Sequence, residues 1–248
     1  MSDPGPRIAV LDYGIGNLRS AEKALQHVGA AARLVTDPAE VEAADAVVLP
    51  GVGAFGACAR ALRQSGLEKV ARAAIAADVP FLAVCIGFQL LYEGSDERSE
   101  AGPAGPGGPE SGPGGPGSAG PGPAGPAGPG SAGPGSASSE SGLGIFPGRV
   151  TALAPTVKHP QMQWNQLVPV GPSPGAPASL HGLGPLPWVY FVHSFAPPVG
   201  AETVAVCDYG GPVAALVERG NLWGAQFHPE KSGRTGLALL ANFVALAA

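Results

Sequence analysis

The sequence predicts an α/β fold, a mixed sheet with helices on both faces, built as one domain over residues 1–248. Two patterns carry that prediction. Strand-like apolar runs alternate with helical stretches in the first half of the chain, whereas strand-like runs follow one another in the second half. The third observation is compositional: 45% of the 248 residues are hydrophobic, which supplies a real core without covalent staples.

Ile8 to Leu11 is a short apolar run ending in Asp12 and Gly14, and reads as a strand. Asn17 then suits an N-cap for a helix whose Leu18, Ala21, Leu25 and Val28 share one face. Ala46 to Leu49 is a second strand, broken by Pro50 and Gly51; helical stretches follow from about Phe55 to Ala77, and Phe81 to Val84 is a further buried strand. This alternation implies a parallel sheet. Later runs at Val189–Val192, Val204–Val206, Val213–Val217 and Leu222–Gln226 read as mixed or antiparallel strands, closed by a helix from about Thr235 to Leu246.

Between about 99 and 141 almost only Gly, Pro, Ala and Ser occur, a composition that cannot bury a core and reads as a disordered insertion into the domain. Register disfavours collagen, because Gly102, Gly105 and Gly108 share one triplet frame, Gly112 and Gly115 another, and Gly122, Gly125 and Gly128 a third. Three scattered cysteines without C-x-x-C spacing point to a reducing, cytoplasmic setting and give no metal or redox site. The start of the chain has no basic and apolar leader pattern, and no apolar stretch approaches membrane-spanning length. A net charge of −5, without basic residues clustered among aromatics, argues against nucleic acid as a partner.

Three segments carry chemistry, each at the carboxyl end of an expected strand, where open α/β sheets collect their sites. In the first, Phe81-Leu-Ala-Val-Cys85-Ile-Gly87-Phe-Gln89, a cysteine stands where a strand meets a helix. A helix N-terminus favours thiolate, Gly87 permits a sharp turn that projects the sulfur, and the Ile86 N–H faces a developing oxyanion. Alone, this segment reads equally well as a buried core cysteine. Cys58 and Cys207 lack such a setting and read as core residues. In the second segment, Gln226-Phe-His228-Pro-Glu230-Lys-Ser232, Pro229 biases His228 toward an extended conformation, which brings the Glu230 carboxylate to the imidazole. A solitary His-Pro-Glu is more often a surface turn, but beside the cysteine it forms the nucleophile, base and orienter of a triad. The third, Leu49-Pro-Gly51-Val-Gly53-Ala-Phe55, is either an ordinary turn or a strip whose Val52 and Gly53 N–H groups supply a second oxyanion donor.

Together these segments resemble the class I, or triad, glutamine amidotransferases, which have a flavodoxin-like mixed sheet. Asp12-Tyr-Gly-Ile-Gly-Asn-Leu18, Pro50-Gly-Val-Gly-Ala-Phe55, Cys85 with Gln89, Gly142-Leu-Gly-Ile-Phe-Pro-Gly148, Met162 with Trp164-Asn165, Tyr190-Phe-Val-His-Ser194 and Gln226 to Ser232 stand in the family's order. The finer motifs are similar to one branch, the glutaminase subunits of imidazole glycerol phosphate synthase. The resemblance implies cofactor-free cleavage of the glutamine side-chain amide through a glutamyl thioester. The ammonia would pass to a cyclase subunit of TIM-barrel fold, within histidine biosynthesis. It also implies glutamine-binding roles for Gln89 and Glu97, with Gly53, His193 and Ser194 in the same pocket, and a cyclase-facing role for Pro160, Met162, Trp164, Asn165 and Lys231. For Trp164 a core position is the alternative.

The sequence departs from the family's pattern at Ala83 and Gln163, where glycine is usual, and in the insertion that follows Glu97. Two rival readings stay open at this point: a glutaminase subunit serving another synthase, such as that of pyridoxal phosphate synthesis, and an inactive scaffold.

Overall fold

A computed structural model describes residues 5–16, 18–97, 140–170 and 177–248. The expected N-cap at Asn17 and nearly all of the Gly/Pro-rich insertion lie outside the described residues.

The chain begins with β1 (Arg7–Leu11), α1 (Leu18–His27), β2 (Ala31–Val35), α2 (Pro38–Glu42) and β3 (Ala46–Gly51). Next come α3 (Phe55–Gln64), α4 (Leu67–Ala76), β4 (Phe81–Cys85), the one-turn α5 (Ile86–Gln89) and β5 (Gly94–Ser95). After the insertion follow β6 (Arg149–Ala152), β7 (Gln161–Gln166), β8 (Val168–Pro169), β9 (Trp188–His193) and β10 (Phe195–Ala196). β11 (Thr203–Asp208), β12 (Pro212–Arg219), β13 (Leu222–Ala225) and α6 (Gly233–Leu246) complete the order.

The main sheet runs β2-β1-β3-β4-β13-β12-β11-β8. Its pairings from β2 to β13 are parallel, and those beyond are antiparallel. The mixed sheet expected from the sequence is thus present. α1 packs with α6, while α2 and α3 pack with α4, the opposite-face arrangement that right-handed crossovers to either side of β1 and β3 require. β3 and β4 are buried throughout, which explains their unbroken apolar runs.

Several boundaries differ from expectation. β3 continues through Pro50 and Gly51 instead of breaking there: Pro50 pairs with Val84 and Gly51 with Cys85. Proline is tolerated at a strand end, and a Cβ on Gly51 would lie 2.7 Å from the Gly87 nitrogen and 2.8 Å from the Tyr13 hydroxyl, so glycine permits the close approach. The Phe55–Ala77 stretch is divided at Gly66, whose φ of +78° ends α3 and opens α4. No described helix is long and apolar enough to cross a membrane.

Candidate active site

β3, β4 and β13 are adjacent strands, so their carboxyl ends deliver Gly51, Cys85 and the segment leading to His228 to one edge of the sheet. Here a cavity of about 470 Å³ opens, lined by Cys85, Ile86, Val52, Gly53 and His228. Gln89, Glu97, His193 and Ser194 line it too, as do Pro160 and Lys231.

Cys85 closes β4 with φ +56° and ψ −111°, a region that side chains rarely adopt. The turn that projects the sulfur is therefore carried by the cysteine itself. The sequence assigned that turn to Gly87, and the structure corrects it: a Cβ on Gly87 would lie 1.9 Å from the Leu49 carbonyl oxygen, so glycine there lets α5 pack onto β3. The expected helix behind the sulfur is only one turn, Ile86–Gln89.

His228 is extended, as Pro229 requires (φ −99°, ψ 99°), and its N–H is held by the Tyr190 carbonyl at 3.0 Å. Glu230 lies in the following 3-10 turn, yet its Oε1 is 2.7 Å from His228 Nδ1. With Nδ1 engaged there, Nε2 is the ring nitrogen left to serve the cavity, whose lining His228 shares with Cys85. Burial lowers the imidazole's pKa, but the neighbouring Cys85 sulfur and the hydrogen-bonded Glu230 carboxylate outweigh it and raise the group from 6.5 to about 9. The Ser232 hydroxyl locks the segment: it donates to the His228 carbonyl and accepts from the Tyr190 N–H.

Two buried acceptors in the cavity have no partner among the described residues, Gln89 Oε1 and His193 Nε2. Gln89 spends its amide N–H groups on the Phe195 carbonyl (2.8 Å) and Gln226 Oε1 (3.1 Å). His193 turns Nδ1 to the Phe195 carbonyl at 2.9 Å, and burial lowers its pKa to about 4, so the ring is neutral with Nε2 as acceptor. Such orphans suit a ligand that brings N–H donors, as an amide or ammonium does. Glu97 also reaches the cavity while its Oε2 accepts the Phe55 N–H at 2.7 Å.

The cyclase-facing residues implied by the resemblance divide in two. Pro160 and Lys231 stand in the cavity lining, whereas Met162 and Trp164 are 62% and 48% exposed on β7, so Trp164 is not a core aromatic. Asn165 is half-buried and donates to the Asp208 carbonyl at 2.9 Å, which commits its amide within the chain. Sequence reasoning missed Val192 and Phe195 in the cavity wall, Gln226 at 3.9 Å from the Cys85 sulfur, and Trp188, exposed on the β7–β9 ribbon. Gln226 had a signal, since it stands two residues before His228, on the same side of an extended segment.

The class-I glutamine amidotransferase family matches residues 9–247, and the chain belongs to it. Solved structures share the fold: a glutamine amidotransferase (TM-score 0.63, 18% identity, 97% of this chain and 98% of that one) and PurLQS from Thermotoga maritima (0.64, 16%, 97% and 98%). Within the family the chain groups with the HisH subunits of imidazole glycerol phosphate synthase. It is 42% identical to that of Thermosynechococcus vestitus over 97% of both chains, and 40% identical to that of Deinococcus radiodurans over 96% of this chain and 93% of the relative.

Proposed function

We propose that this chain is the glutaminase subunit of an imidazole glycerol phosphate synthase and that the Cys85 cavity is where glutamine is hydrolysed. The observation that carries this reading is the strained Cys85 sharing a cavity wall with His228, itself 2.7 Å from Glu230, where two buried acceptors have no partner among the described residues. The HisH names of the similar proteins favour this synthase over others.

In the reaction, the Cys85 sulfur attacks the side-chain amide carbon as thiolate, with the proton on His228. The N–H of Ile86 and those of the Val52–Gly53 strip hold the oxyanion. Collapse breaks the C–N bond as His228 gives its proton to the departing ammonia. The same imidazole then takes a proton from water, which cleaves the thioester to glutamate and restores the sulfur. Glu230 orients the ring throughout. Gln89, Glu97, His193 and Ser194 hold the amino acid; Glu97 supplies the charge that suits an ammonium.

Ammonia passes to a cyclase subunit seated on the face of Met162, Trp164 and Asn165, bordered by Pro160 and Lys231 at the cavity mouth. The domain is single, with the Gly/Pro-rich segment inserted. Glutamate release by the purified chain, and its cofractionation with the cyclase, test both halves. A Cys85→Ala protein that still hydrolysed glutamine would sink the assignment.

A further inference from the structure

The strip from Pro50 to Phe55 is held by three side chains from three separate places in the fold. The Tyr13 hydroxyl donates to the Pro50 carbonyl at 2.7 Å. The Cys58 thiol donates to the Val52 carbonyl at 3.2 Å, and the Glu97 carboxylate accepts the Phe55 N–H at 2.7 Å. Tyr13 and Cys58 are buried and absent from the cavity lining, so they stand behind the strip and not in the substrate space.

The contact at Val52 governs direction. In a trans peptide the C=O and the next N–H point opposite ways. Drawing the Val52 carbonyl back to Cys58 on α3 turns the Gly53 N–H away from α3, toward the side on which Gly53 lines the cavity. Gly53 has φ +91°, a conformation that glycine adopts at little cost, so the residue itself imposes no preference on the peptide's orientation. We propose that Cys58, backed by Tyr13, is a positioning residue that sets the direction of the Gly53 N–H as oxyanion donor, an inference that rests on the glutaminase reading above.

Both groups keep the proton this task needs. Burial pushes the Cys58 thiol up to about 11 and the Tyr13 hydroxyl well above its ordinary range, so each remains a donor at neutral pH. Each spends its one proton on the strip, Tyr13 on the Pro50 carbonyl and Cys58 on the Val52 carbonyl, so the two anchors hold it two residues apart. Glu97 fixes the far end, where the N-cap residue Ala54 has no side-chain cap of its own.

The test uses the full-length chain, with the cyclase present, as wild type, Cys58→Ala, Cys58→Ser and Tyr13→Phe. Glutamate release gives kcat and KM for glutamine separately, and hydrogen exchange follows the peptide covering Pro50–Phe55. Cys58→Ala should lower kcat about 10-fold with KM changed by less than about 2-fold, since the hydrogen bond to an oxyanion is made in the transition state. Cys58→Ser, which keeps a donor, should retain most of the rate. Tyr13→Phe should fall in the same direction by about 3-fold. Exchange across the strip should quicken in Cys58→Ala and Tyr13→Phe only. An unchanged kcat in Cys58→Ala, an effect confined to KM, or equal losses in the Ala and Ser variants would overturn the proposal. If Cys58→Ala does not fold, Tyr13→Phe and Cys58→Ser decide by the same readouts. A wild-type chain that releases no glutamate even with the cyclase present would instead sink the glutaminase reading, and the exchange rates would still decide whether Cys58 holds the strip.

Discussion

At the scale of single residues, the site rests on a cysteine placed where cysteine is uncomfortable. A non-glycine residue in such a conformation costs on the order of 1–3 kcal/mol, which the surrounding strands must over-determine. Cys85→Ala keeps the Cβ and the strain; Cys85→Gly relieves it. The glycine variant should therefore be the more stable of the two by about 1 kcal/mol, measured by denaturant midpoints. Both should lose glutamine hydrolysis by at least about 10³-fold, while synthesis from added ammonia with the cyclase persists. Glu230 offers a pH test. Because His228 is raised to about 9 in the fold, its contribution to stability is complete below its unfolded value near 6.5 and is lost as pH rises through about 9. Glu230→Gln removes one of the groups that raise it, so the variant should be destabilised more at pH 6.5 than at pH 10. The limb of the rate profile that belongs to His228 should also move to lower pH. This pairing was legible in the sequence, since His-Pro-Glu fixes an extended histidine with a carboxylate two residues on. The strain at Cys85 and the hydrogen bond from Cys58 were not, because φ and the neighbour of a buried thiol are set by the strands packed around them.

At the scale of elements, the parallel half was readable because β1, β3 and β4 are buried strands with unbroken apolar runs. β2 and β7 escaped the reading for opposite physical reasons. Ala31-Ala-Arg-Leu-Val35 is half-exposed at the sheet edge and has neither a continuous run nor a clean alternation, and Gln161-Met-Gln-Trp-Asn-Gln166 is mostly polar and owes its strand state to β9. α5 shows what a glycine can do within an element. Gly87→Ala would drive its methyl into the Leu49 carbonyl, and either α5 or β3 must shift to make room. We expect a loss of about 1–3 kcal/mol in stability, read by thermal or denaturant unfolding, together with loss of glutaminase activity because α5 follows directly on Cys85.

At the scale of the molecule, the exposed aromatics share one ribbon. Trp164 and Trp188 lie on β7 and β9, with Trp164 paired to Tyr190, and their exposure on a chain that buries its other tryptophan marks a face for a partner. Substituting Trp164 or Trp188 by Ser should weaken cyclase binding by about 30-fold each while leaving the unfolding midpoint nearly unchanged, as calorimetric titration and thermal melts would report. The resemblance pointed to Trp164 in advance; Trp188 became visible only through the register of the ribbon.

The ends of the Gly/Pro-rich segment are held by the fold on either side. Gly94 bridges Ser141, Arg149 ties Asp96 at 2.7 Å, and Arg60 and Arg63 both reach Glu140. Two chain ends pinned that closely make a socket. Residues 99–138 should be replaceable by a short Gly-Ser joint with the melting temperature shifted by no more than a few degrees. A foreign domain whose own termini lie side by side should ride there as cargo, turning this enzyme into a carrier whose passenger and catalysis are independent.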